Sequence, residues 1–345
     1  MNDTLLIFTC QPESMDLALN ELQNGTLIQA LGGHAQGIRG ALVETLAPGI
    51  FVHRLEAPRA EALASIQALD PIFIRHLHPV DAELAWGGEH LPAELQQALT
   101  LRGPLALQLT TTDPALDNAQ LATALEEQLQ AAGVAVDPQA ETILSVTATG
   151  ERLLLGLSTV GQNLSAWPGG RVRYRRREAQ VSRAGFKLEE ALELWGEEAG
   201  AGKQALDLGA APGSWTQVLR GLDYEVLAVD PAALDSRLEG DGGIRYFSGK
   251  SEDWLKKRDR SERYDLIVND MKMDVVASAE LMVELSEALV DGGRVIMTFK
   301  LPAKKQAAKI RAGLAILSEA YSGLRAKQLY HNRSEITVSG YLAAR

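Results

Sequence analysis

A single cysteine, Cys10, stands in 345 residues, so no disulfide can close within the chain and no thiolate-rich zinc site can form. The six histidines show no metal-ligand spacing; His76 and His78 sit two apart in an apolar stretch and read as packing or surface residues. No apolar run approaches the roughly 20 residues that span a bilayer. The start, Met1-Asn2-Asp3, lacks a basic leader, and the apolar run Leu5–Phe8 is too short for a signal core. These absences predict a reducing, cytoplasmic setting, no membrane and no metal. Lysine is missing too: residues 1–165 hold six arginines, no lysine and nineteen acids.

What is there is a globular composition, 46% hydrophobic and 23% charged, long enough for two or three domains. The net charge of −11 argues against indiscriminate nucleic-acid binding, but it is unevenly spread. Between residues 171 and 187 seven basic side chains face one acid, Glu178, and from Lys300 onward nine basic residues face Glu319 and Glu335. Basic segments on an acidic protein are suited to directed phosphate contacts, with a solvated linker and a solvated helix face as the alternative. In an extended segment Arg171, Arg173 and Arg175 share one side, which makes them the candidate phosphate-contacting residues.

Along the chain, Thr4–Cys10 is β-prone and a helix follows from Pro12. Strands are predicted at Thr26–Leu31, Gly40–Leu46 and Pro71–Pro79, with a helix at Arg59–Leu69. The resulting β-α-β-β-α-β order is the ferredoxin-like arrangement, assigned to residues 1–85. A second small α/β module, residues 86–165, carries helices at Pro92–Leu99 and Leu116–Ala132 and strands at Leu105–Thr111, Thr142–Thr147 and Arg152–Ser158. Trp167-Pro168-Gly169-Gly170 can continue neither helix nor central strand, so residues 166–181 form a basic linker. From 182 to 345 strands alternate with helices, which predicts a doubly wound, mainly parallel sheet. Its last two strands, 324–330 and 335–342, have no helix between them and should pair antiparallel at one edge.

That C-terminal region is organised around Asp207-Leu208-Gly209-Ala210-Ala211-Pro212-Gly213-Ser214-Trp215, a strand end that turns on glycines into a helix. Such a turn presents free backbone N–H groups and a positive dipole end. Gly209 and Gly213 lack the third glycine of a dinucleotide site, which disfavours a nicotinamide oxidoreductase. Asp230 ends the next apolar run and is placed to hold a ribose diol. Together these predict an adenosyl ligand across the strand tips; the alternative is an ordinary βα turn. Asp270 and Lys300 each end a strand and so belong in the cleft. Lys187 and Glu335, taken alone, read as surface residues.

In order, Ser182-Arg183-Ala184-Gly185-Phe186-Lys187-Leu188, the Asp207–Trp215 turn, Asn269-Asp270-Met271, Phe299-Lys300-Leu301-Pro302 and Arg333-Ser334-Glu335-Ile336-Thr337-Val338 resemble the motifs of the FtsJ-like ribose 2′-O-methyltransferases. Trp167–Gly170 and Gln328–Arg333 bring the chain nearer the RlmM-type branch, which acts on a cytidine ribose of 23S rRNA. The resemblance implies S-adenosyl-L-methionine as cofactor, RNA as partner, and a Rossmann-like methyltransferase domain preceded by ferredoxin-like and THUMP-like modules. It also implies a catalytic tetrad, Lys187, Asp270, Lys300 and Glu335. Lys300 would be the base and Lys187 a second cation, with Asp270 and Glu335 orienting both ammonium groups. A lysine base requires a pKa lowered by burial and a neighbouring cation. The implied cofactor set is Asp207, Gly209, Ala211, Pro212, Gly213, Ser214, Trp215, Asp230 and Asp270. Lys250 stands where many relatives carry an acid for the adenine, so Asp253 is expected to serve instead. The second functional class is a noncatalytic RNA-binding assembly protein on the same fold.

Overall fold

The computed structural model describes residues 3–25, 27, 37–87, 95, 99, 101–196 and 200–344. The chain forms two compact units that meet in sequence between Arg171 and Val172. In the first, β1 (Thr4–Thr9), α1 (Met15–Asn24), β2 (Gly40–Ala47), β3 (Ile50–Leu55), α2 (Arg59–Leu69) and β4 (His76–Pro79) make a sheet of order β2-β3-β1-β4. The strand expected at Gly40–Leu46 is β2, and its hairpin partner is β3, which the sequence reading does not include. Pro48-Gly49 turns the chain there, Gly49 taking φ 78°, and the apolar run from Ile50 pairs back on β2. The strand expected at Thr26–Leu31 and the helix at Pro92–Leu99 fall mostly outside the described residues.

A second sheet of the same unit has the order β5-β8-β7-β6, from β5 (Ala82–Ala85), β6 (Ala106–Thr111), β7 (Thr142–Ala148) and β8 (Arg152–Thr159). Helix α3 (Asn118–Ala131) starts on Asp117, whose carboxylate accepts from the N–H groups of Ala119 and Gln120. It buries Leu121, Leu125 and Leu129 against the sheet. His76 and His78 are packing residues: their Nε2 atoms bond Gln108 and Thr147, both at 2.8 Å. Burial lowers their pKa values to about 3 and about 4, which keeps both rings neutral.

The second unit runs α4 (Gly185–Trp195), β9 (Gln204–Leu208), α5 (Ser214–Gly221), β10 (Glu225–Asp230), β11 (Ile244–Ser248), α6 (Ser251–Lys257), β12 (Tyr264–Asn269), α7 (Val275–Glu284), β13 (Leu289–Lys300), α8 (Gln306–Leu317), β14 (Tyr321–Lys327) and β15 (Glu335–Leu342). Its sheet order is β11-β10-β9-β12-β13-β15-β14. The five strands from β11 to β13 are parallel; β15 is antiparallel to both β13 and β14. The central strands are near-continuous apolar runs, as burial on both faces requires. Leu188, Leu192, Trp215, Leu219, Val226, Leu266, Val268 and Ile296 form the core on the α4–α5 side. Strand order reverses between β9 and β12, so the crevice for a ligand opens at the tips of those two strands. Helix α6, not foreseen in the sequence, is one short segment pinned by Trp254, which packs on Tyr264 at 6.2 Å. No described helix is long and apolar enough to cross a membrane, and no group of metal-ligating side chains occurs among the described residues.

Candidate active site

At the reversal point two lysines and two carboxylates close a ring. Lys187 Nζ donates to Asp270 Oδ2 at 2.6 Å and to Glu335 Oε1 at 3.0 Å. Lys300 Nζ donates to Asp270 Oδ1 at 2.5 Å and to Glu335 Oε2 at 2.8 Å. Four separate elements deliver these groups: α4, the tip of β12, the end of β13 and the start of β15. The register explains the meeting, because Lys300 pairs directly with Glu335 across the β13–β15 ladder. Lys187 and Glu335, which no local pattern placed, thus join the two strand-end residues. Signs alternate around the ring and the formal charges cancel.

The ring is mostly buried, with side-chain exposures from 10% for Lys187 to 23% for Lys300. Burial alone would raise the Asp270 pKa, yet the two ammonium groups outweigh it and hold the carboxyl below its ordinary range. Burial likewise works to lower Lys300, but Asp270 and Glu335 prevail and raise its pKa. The sequence-based expectation of a lowered value is therefore reversed in this state: two carboxylates stand closer to Lys300 than any cation. Thr298, two residues before Lys300 on the same face of β13, donates to Asp270 Oδ1 at 2.7 Å. Asn269 turns the chain beyond β12 by accepting from Met271 N at 2.9 Å. Neither was singled out individually in the sequence, though the period-two alternation of β13 points to Thr298.

The glycine turn lies beside the ring. Gly209 takes φ 71° and Gly213 φ 106°, backbone states that side chains disfavour. A Cβ on Gly213 would come within 2.2 Å of Leu238 Cδ1, so the loop after β10 closes over the turn. Asp230 Oδ2 accepts from Ala211 N at 3.1 Å and Oδ1 from Ala232 N at 2.7 Å. One amide per oxygen fixes the carboxylate and leaves acceptor capacity for a pair of hydroxyls. That acceptor arrangement fits an adenosyl ribose, whose hydroxyls donate. Tyr246, missed in the sequence, braces the loop by donating to the carbonyls of Asp230 and Ala232, each at 2.9 Å.

Other residues of the expected cofactor set make contacts within the protein. Asp207 is fully buried, accepts from Thr216 Oγ1 at 2.6 Å, and has its pKa raised by burial to about 7. Ser214 Oγ meets Ser182 Oγ at 2.6 Å, and the buried Trp215 donates its indole N–H to Ala184 O at 3.0 Å. Both side chains fasten α5 to the residues leading into α4. Asp253 is exposed in the first turn of α6, at the tip of the β11 edge. Arg173 and Arg175 are exposed in the second unit, alternating with buried Val172 and half-buried Tyr174; Arg171, half-buried, ends the first unit.

A seven-stranded doubly wound sheet with a glycine turn and a clamped acid on the next strand is a methyltransferase fold. Residues 180–305 match the model of the FtsJ-like methyltransferase family. Among known proteins the chain is similar to the ribosomal RNA large subunit methyltransferase M of Alkalilimnicola ehrlichii, 36% identical over 64% of this chain and 62% of that protein. It is also similar to the protein of the same name from Marinobacter nauticus, 28% identical over 96% of this chain and 97% of that one. For that from Halorhodospira halophila, 35% identity spans half of each chain.

Proposed function

We propose that the protein is an S-adenosylmethionine-dependent ribose 2′-O-methyltransferase of 23S rRNA, acting on a cytidine. The closed Lys187–Asp270–Lys300–Glu335 ring beside the glycine turn is the observation that carries this reading. A surface ion-pair network would not need four strand and helix ends converging on one crevice.

When bound, S-adenosylmethionine supplies an activated methyl group on a cationic sulfur. Asp230 accepts its ribose hydroxyls, and the Gly209–Gly213 backbone approaches its methionine part. Lys300 Nζ takes the proton of the ribose 2′-OH. For that it must first release its own proton to solvent. The loss leaves Lys187 between two carboxylates, a net charge of −1. Lys187 stays protonated and steadies the developing alkoxide, while Asp270 and Glu335 keep both nitrogens in place. In-line alignment of the hydroxyl supplies much of the remaining acceleration.

In the N-terminal unit, the order β2-β3-β1-β4 supports a ferredoxin-like module and the parallel β6–β7 pair a THUMP-like module, with the boundary expected at residue 85 moved to before β5, which pairs with β8. Basic surface for RNA then falls to the minority cations. Replacing Arg171, Arg173 and Arg175 with Gln should flatten the salt dependence of RNA binding by up to about two units, at roughly 0.7 per phosphate contact. A wild-type slope would make the run a solvated linker.

Mapping 2′-O-methylation at nucleotide resolution in RNA from cells with and without the chain tests the whole reading. An unchanged map would reject it. Asp230→Ala should weaken S-adenosylmethionine binding roughly tenfold or more, since it removes charge-assisted acceptors. Calorimetry returning the wild-type dissociation constant would exclude Asp230 from the cofactor site.

A further inference from the structure

The segment leading into Glu335 carries an exposed aromatic ring on an unusually well-held backbone. Tyr330 is 37% exposed. Its N–H donates to Glu190 Oε1 at 2.7 Å, and the next residue, His331, donates its backbone N–H and its ring Nδ1–H to Oε2 at 3.0 and 2.7 Å. Glu190 is buried on α4, three residues beyond Lys187. The His331 ring stacks on Tyr174 at 5.3 Å and 11°, meets Phe186 at 5.1 Å, and props Tyr330 edge-on at 5.3 Å and 84°. Asn332 locks the turn from below, accepting from Leu329 N at 2.8 Å and bonding Thr337 Oγ1.

An exposed tyrosine by itself means little. Here the His331 ring meets it edge-on, and exposed cations stand close by in the chain: Arg333 follows three residues later, and Arg173 and Arg175 flank the Tyr174 on which His331 rests. A rigid aromatic face among cations is the means by which proteins hold single-stranded RNA, the base stacking and the phosphates pairing. At no more than ~3.6 Å per residue, Tyr330 lies within about 18 Å of Glu335 along the chain. We propose that Tyr330 is a stacking platform for an unpaired nucleobase near the target nucleotide, with Arg333 on an adjoining phosphate. The proposal rests on the reading of RNA as substrate. It assigns Glu190 and His331 as positioning residues that set the ring's attitude.

Anisotropy titration with a fluorescein-labelled single-stranded oligouridylate tests it. Tyr330→Ala should raise the dissociation constant roughly tenfold, within a range of about 5- to 100-fold. Tyr330→Phe should stay within about twofold of wild type, and Tyr330→Leu should bind as weakly as the alanine variant. Stacking releases no counterion, so the salt slope of Tyr330→Ala stays at the wild-type value, whereas Arg333→Gln lowers it by about 0.7. An oligouridylate carrying 2-aminopurine should be quenched by wild type and by Tyr330→Phe, and not by the other two. Wild-type affinity in Tyr330→Ala, full binding by Tyr330→Leu, a reduced salt slope in Tyr330→Ala, or no RNA binding by wild type would each overturn the platform. A wild type that binds and quenches the oligomer but methylates no RNA would leave the platform standing and remove the methyltransferase reading.

Discussion

Lys300→Arg should cost roughly 10³-fold in the single-turnover rate of methyl transfer at saturating RNA, while S-adenosylmethionine affinity stays within a few-fold of wild type. The arginine keeps the positive charge facing Asp270 and Glu335, but it does not deprotonate in a protein. General bases contribute about 10²- to 10⁴-fold, which sets the size of the loss. Lys300→Ala should lose as much, and by comparison it also leaves two carboxylates sharing one ammonium group. Because Asp270 and Glu335 raise the Lys300 pKa, wild-type rates should climb with pH through the neutral range, and the arginine variant should be flat. Retention of more than a few per cent of activity by Lys300→Arg would show that Lys300 only supplies charge.

The methyltransferase half was readable because its strands are short apolar runs that end on polar residues at the same side of the sheet. Asp270 and Lys300 are such endings, and Asp230 is another. Lys187 and Glu335 are not: one sits inside a helix, the other begins a strand, and both reach the crevice only through tertiary register. The Lys300–Glu335 pairing depends on β15 inserting between β13 and β14, a step that no local pattern encodes. Only the order of the five motifs pointed to them. Glu190 escaped for a similar reason. In sequence it is one of several glutamates on an amphipathic helix, and its three bonds go to residues 140 and 141 positions away. In the N-terminal unit the Ile50–Leu55 strand was overlooked although it is apolar and β-branched. Its turn, Pro48-Gly49, is a two-residue loop that punctuates one continuous hydrophobic stretch. The direction of the Lys300 pKa was also beyond reach, since it depends on which charges stand nearest and not on burial alone.

Asp270→Asn should be the most destabilising change in the ring as well as an inactivating one. Asp270 bonds both lysines and Thr298, and an amide cannot neutralise either ammonium. Removing one partner of a buried ion pair costs about 3–5 kcal/mol; the lower end applies here, since Glu335 still faces both cations. The pH dependence carries a sign that identifies the cause. In wild type the Asp270 carboxyl lies below its unfolded value, so its contribution is complete above about pH 4 and is lost as pH falls through the folded value. Lys300 lies above its unfolded value, so its contribution holds below about pH 10 and is lost as pH rises through the folded one. Between these limits the ring adds no slope. In Asp270→Asn the main partner raising Lys300 is gone and Glu335 alone opposes burial, so the folded pKa falls below its wild-type value. The variant should then lose less stability than wild type as pH rises past about 10. Urea unfolding at several pH values measures both effects. Adding Lys187→Met, which restores one cation to one carboxylate, should recover part of the loss. Equal stability of Asp270→Asn and wild type at pH 7, with equal slopes above it, would mean that solvent screens the ring and that its four charges do not act as a unit.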